Sequence, residues 1–93
     1  MMNYQPHYPY SPASAYALNR CLYLLKSDPA FLARYVAGPE AALDDLGLGA
    51  EERAAVLSGE RERIIAAGGH PYLVFMAEFR LKGARGQTTY EYF

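Results

Sequence analysis

Apolar side chains recur at helical intervals through most of this chain, and glycine and proline cut them into short runs. Ala15, Leu18, Cys21, Leu22 and Leu25 share one helical face, which predicts a first helix over 14–26. Ser27-Asp28-Pro29 supplies a cap and a first-turn proline for a second helix whose inner face carries Phe31, Leu32, Tyr35 and Val36. Gly38-Pro39 repeats that punctuation and predicts a third short helix over 40–46, closed by Gly47. Glu51 and Glu52 suit the N-terminus of a fourth helix, anchored by Val56 and Leu57 and interrupted at Ser58-Gly59. A fifth over 60–67 presents Ile64 and Ile65. A sixth, from Pro71 to about Leu81, carries Tyr72, Phe75, Met76 and Phe79 on one side.

The two ends read differently. Residues 1–12 alternate tyrosine or histidine with Pro6, Pro9 and Pro12, a pattern that blocks helix and predicts an extended arm, either mobile or packed on a partner. Near the C-terminus Thr88, Thr89, Tyr90, Tyr92 and Phe93 favour extended structure, but a lone strand needs a partner. The expected architecture is all-α: an arm over 1–13, a compact helical domain over 14–82, and a tail over 83–93.

The sharpest local signal is Gly68-Gly69-His70-Pro71-Tyr72. A helix ends readily on glycine, which takes the left-handed conformation without a Cβ penalty. Proline suits a first helical turn because its φ is pre-set and its missing N–H would have gone unpaired. The segment therefore predicts a rigid helical corner that displays an imidazole and a phenol. His70 either caps the sixth helix or reaches a ligand or metal region on another chain.

Composition narrows the function. With 93 residues, 52% of them hydrophobic, the chain makes one domain whose apolar surface is only partly covered. A net charge of −1 gives no general basis for nucleic-acid binding, although Arg80, Lys82 and Arg85 form a small basic patch. No window approaches the roughly 20 apolar residues of a membrane span, and the N-terminus lacks a basic-then-apolar signal, so a cytoplasmic protein is expected. One cysteine excludes an internal disulfide. Two histidines, His7 and His70, fall short of an iron triad built by this chain alone. Cys21 lies on an apolar helical face, as a buried hydrophobe would. The carboxylates Glu40, Asp44, Asp45, Glu51 and Glu52 lack calcium-loop spacing and read as a solvated helix face. The glycines form no phosphate loop.

Several of these segments, in order, resemble the small (alpha) subunit of protocatechuate 4,5-dioxygenase, a class II extradiol ring-cleavage enzyme. They are Tyr16-Ala17-Leu18-Asn19-Arg20, Pro39-Glu40-Ala41, Gly47-Leu48, the run from Glu51 to Leu57, and Gly68-Gly69-His70-Pro71-Tyr72. The resemblance implies a non-catalytic, all-helical subunit without iron ligands, packed on a large subunit that holds Fe(II) and opens catechol-type rings with O₂. It also implies that Gly68, Gly69, His70, Pro71, Tyr72 and Phe75 contact the partner or its substrate pocket. Larger family members carry a longer C-terminal tail toward the active site, and none of its residues is carried over here. A second resemblance, centred on Ala55-Val56-Leu57-Ser58-Gly59-Glu60, is to leader domains of borosin-type peptides. It implies a peptide N-methyltransferase partner acting on residues 87–93.

Overall fold

The computed structural model describes residues 12–86; the proline-rich arm before them and the tail from Gln87 lie outside the described residues. Six helices follow one another: α1 (Pro12–Ser27), α2 (Pro29–Ala37), α3 (Pro39–Leu43), α4 (Ala50–Ser58), α5 (Arg61–Ala66) and α6 (Pro71–Ala84). No strand occurs among the described residues. Helices as short as α3 and α5 are marginal in water, so their tertiary packing holds them.

Every helix contributes to one core. Leu18, Cys21, Leu22 and Leu25 come from α1, Phe31 and Tyr35 from α2, and Ala42 and Leu43 from α3. Ala55, Val56, Ile64, Val74 and Ala77 complete it from α4, α5 and α6. Successive helices pack on one another around this centre, and α6 returns to lie along α1, the most extensive helix pair. The two run in the same direction. Asn19 meets the start of α6, whereas Leu25 and Lys26 share a surface depression with Arg80, near its end.

Local chemistry sets the boundaries. Asp28 caps α2 by accepting from the backbone N–H groups of Ala30 and Phe31 at 3.0 and 3.2 Å. Glu52 is buried and reaches back to accept from the Gly49 N–H, which closes the start of α4. Gly59, with φ +72, ends α4 in the left-handed region. An ion pair from Arg61 to Glu78 at 3.0 Å ties α5 to α6.

Four helices have boundaries that differ from the sequence reading. α3 stops at Leu43, because the following turns tighten to i→i+3 bonds, Asp44 to Ala41 and Leu46 to Leu43, before Gly47 reverses the chain at φ +74. Glu60 stands outside α5 as its N-cap, and Ala67 outside it as its C-cap. α6 continues past Leu81 and through Gly83 to Ala84; the glycine that stops it is Gly86, at φ +76. Pro12 opens α1 instead of ending the arm, as proline at a first helical position can.

Cys21 is fully buried, and burial pushes its thiol from 9.0 up to about 12. The Tyr35 phenol is also raised, by burial first and then by Cys21, against the opposing charge of Arg85. Because the folded state holds the Cys21 proton more tightly than the unfolded chain, this contribution to stability is complete below pH 9. It declines between pH 9 and 12, at up to about 1.4 kcal/mol per pH unit. We expect thiol reagents to leave Cys21 untouched in the native protein at pH 8 and to titrate one thiol in urea. A native thiol that reacts at the rate of a free one would contradict this burial.

Candidate functional site

The glycine corner is assembled from the end of α5, the start of α6 and one side chain of α1. Ala67 caps α5, after which the Gly68 and Gly69 N–H groups donate to the carbonyls of Ile65 and Ile64, both at 2.9 Å. Gly68 has φ +120, a conformation that side chains disfavour. Gly69 is needed for a different reason, close approach. A Cβ there would stand 2.9 Å from Ile64 Cγ2, 3.0 Å from the Ile64 carbonyl oxygen and 3.0 Å from Val74 Cγ2. Both glycines are buried, so they shape the corner from within.

His70 is the N-cap of α6. Its Nδ1 accepts from the Tyr72 N–H at 3.1 Å, and its carbonyl receives the Val74 N–H at 2.9 Å. A neutral imidazole that accepts at Nδ1 carries its proton on Nε2, so the exposed ring offers that N–H as a donor. His70 thus caps α6, one of the two roles expected of it. Pro71 occupies the first turn, as its φ favours.

Asn19 entered the sequence reading only as part of the resembling segment, with no site role, yet it locks this corner. Its Nδ2 donates to the Gly68 carbonyl at 3.1 Å, and its Oδ1 accepts from the His70 N–H at 2.7 Å. One amide thus satisfies an acceptor and a donor that the helix break would leave unpaired. The signal was an asparagine inside a helix, beside the apolar stripe, where this residue type has no intrinsic advantage. Asn19→Ala should lower stability by about 2 kcal/mol, since two backbone groups lose their partner. Urea unfolding and faster amide exchange at His70 would measure it; unchanged exchange would mean the clamp is idle.

Around the clamp stand large exposed side chains. Tyr16 and Tyr23 are three residues before and four after Asn19, hence its neighbours on the surface of α1. With Asn19, Arg20 and Leu24 they line a shallow depression. Lys26 Nζ lies 5.3 Å from the Tyr23 ring centre. On α6, Tyr72, Phe75 and Phe79 form a row at i, i+3 and i+7, with exposures of 55, 53 and 61%. The predicted stripe on this helix therefore exists, but it faces outward. Met76 is half-buried, and Val74 and Ala77 form the core face.

The corner thus joins three exposed candidates, His70, Pro71 and Tyr72, with Phe75 one turn along α6. His7 lies outside the described residues, and among those described no three histidine, cysteine or carboxylate side chains gather as a metal would require. Two of the carboxylates serve structure: Asp44 pairs with Arg53 at 3.1 Å, and Glu52, expected on a solvated face, is instead buried and closes α4. No helix among the described residues is long and apolar enough to cross a membrane.

What this arrangement offers chemically is a rigid, outward-facing aromatic surface with one imidazole donor. The family model described as aromatic-ring-opening dioxygenase LigAB, LigA subunit, matches residues 18–90, from the second turn of α1 past the end of α6. No curated protein and no solved structure shows a significant match to the chain.

Proposed function

The chain belongs to the LigA-subunit family of aromatic-ring-opening dioxygenases, and from that premise we propose that it is a non-catalytic small subunit that completes the active site of a larger one. The partner holds Fe(II) in an extradiol centre and opens a catechol-type ring. This chain has two histidines in all and does not by itself fit such a centre. Its own contribution is shape: it covers the pocket, excludes water and positions the substrate, in the cytoplasm.

The observation that carries this reading is the row Tyr72, Phe75 and Phe79 beside the clamped corner. Aromatic side chains displayed together on rigid helices supply large contact area at low entropic cost, the composition of interface cores. His70 contributes an Nε2–H that can meet a carbonyl or carboxylate across the interface.

The test is co-expression of the large subunit with and without this chain, followed by ring-opening turnover on catechol substrates. The expected result is a stable complex and a higher turnover when both are present. A large subunit that is equally stable and active alone would end the proposal. Within the complex, His70→Ala and Tyr72→Phe should lower turnover while the free chain still folds.

A further inference from the structure

On the side of α6 opposite its aromatic row, a cleft of about 180 Å³ opens between α1, α4, α5 and α6. Its floor is apolar, made by Leu22, Leu25, Val56, Ile64, Val74 and Leu81. Arg61, Lys82 and Arg85 stand at its rim against one carboxylate, Glu78. Glu78 is already engaged by Arg61 at 3.0 Å and Lys82 at 3.6 Å. The Arg85 guanidinium has no ion-pair partner among the described residues, so the rim carries cationic charge in excess. Apolar cavities of about 150 Å³ already accept a benzene ring.

We propose that this cleft seats the chain's own C-terminal segment, residues 87–93, with the Tyr90 ring on the apolar floor and the Glu91 carboxylate at the Arg85 rim. Three observations converge on that occupant. The segment starts two residues after Arg85, which itself lines the cleft. Gly86, at φ +76, is the left-handed residue that turns a chain back beside the helix it leaves. Four extended residues then carry Tyr90 about 13 Å, and the wall from Glu78 to Arg85 is only about 10 Å long, so the ring reaches any level of it.

The composition fits as well. In an extended segment Tyr90 and Tyr92 fall on one side and Glu91 on the other, which lets rings enter while the carboxylate stays at the charged edge. The family match, moreover, continues to residue 90, four residues beyond Gly86, while it omits the whole N-terminal arm. This seat is separate from the aromatic row on α6 and does not depend on the subunit proposal.

Methyl-labelled full-length protein tests the seat by NMR. Cross-peaks are expected from the Tyr90 ring to Val74 and Leu81 methyls, independent of protein concentration. Tyr90→Ser, and separately a chain ending at Gly86, should shift the Val56, Val74 and Leu81 methyl signals while far-UV circular dichroism is retained. The shortened chain should also bind 4-hydroxyphenylacetate at least tenfold more tightly than the full chain, because the seat is vacated. Unmoved cleft methyls in both variants would overturn the proposal. So would cross-peaks seen only between differently labelled copies, which would make the occupant a second molecule.

Discussion

Replacing Gly69 by alanine is expected to destabilise the domain by about 2–3 kcal/mol, a large share of the marginal stability of a chain this size. The added Cβ would meet two side-chain methyls and one backbone oxygen at 2.9–3.0 Å. The Ile64 and Val74 methyls can give a little. The Ile64 carbonyl oxygen cannot, since it accepts the Gly69 N–H at 2.9 Å and so fixes the approach of α6 to α5. Relief requires the corner to open, which draws His70 off the Asn19 side chain and disturbs the Tyr72 cap. Gly59→Ala makes the comparison. Gly59 has φ +72 but open space around its Cβ position, so only the left-handed backbone is penalised, at about 1–2 kcal/mol. Urea unfolding of both variants measures the difference. An equal or smaller loss at Gly69 would show that the corner tolerates a side chain and is looser than its contacts imply. In the complex, the Gly69 variant should also lose turnover, because the groups it displaces belong to the proposed interface.

The helices were legible because their punctuation is local. Asp28-Pro29, Gly38-Pro39 and Gly69-His70-Pro71 each set a boundary through φ restriction or capping, effects confined to a few residues. The end of α6 was misplaced for the same reason in reverse. Gly83 and Gly86 look alike in sequence, and only the second takes a positive φ. The outcome at Gly83 depends on Glu78 and Lys82 pairing one turn earlier and on Leu81 packing against the core. At the candidate site, the glycines, the capping histidine and the proline were all readable from one five-residue string. Asn19 showed only as an asparagine out of place inside a helix, because its partners lie 49 and 51 residues away and no local pattern names a contact at that separation. The direction of the aromatic row was equally hidden. Tyr72, Phe75 and Phe79 are as apolar a stripe as a core face would be, and α6 turns Val74 and Ala77 inward instead. Periodicity finds a face without saying what lies opposite it.

That outward row carries the second large effect. The double variant Phe75→Ser, Phe79→Ser should weaken association with the large subunit by about 100- to 1000-fold while changing the stability of the free chain by less than about 0.5 kcal/mol. The asymmetry follows from where the rings are. Both are more than half exposed in the free domain, so removing them forfeits little buried area within it. If they become buried on assembly, each contributes about 1.4–2 kcal/mol there, the lower part of the range for a whole ring because each is already partly covered, and two such losses, about 2.8–4 kcal/mol, correspond to the stated range. Isothermal titration against the large subunit, beside urea unfolding of the free chain, separates the two quantities. Glu51→Gln, on the exposed first turn of α4, is the control expected to change neither. Gly69→Ala should move both quantities, because it deforms the corner that aims the row; the phenylalanine pair should move association alone. Unchanged association in the pair would place the partner on another face of the domain, and the clamped corner would then serve only to join α5 to α6.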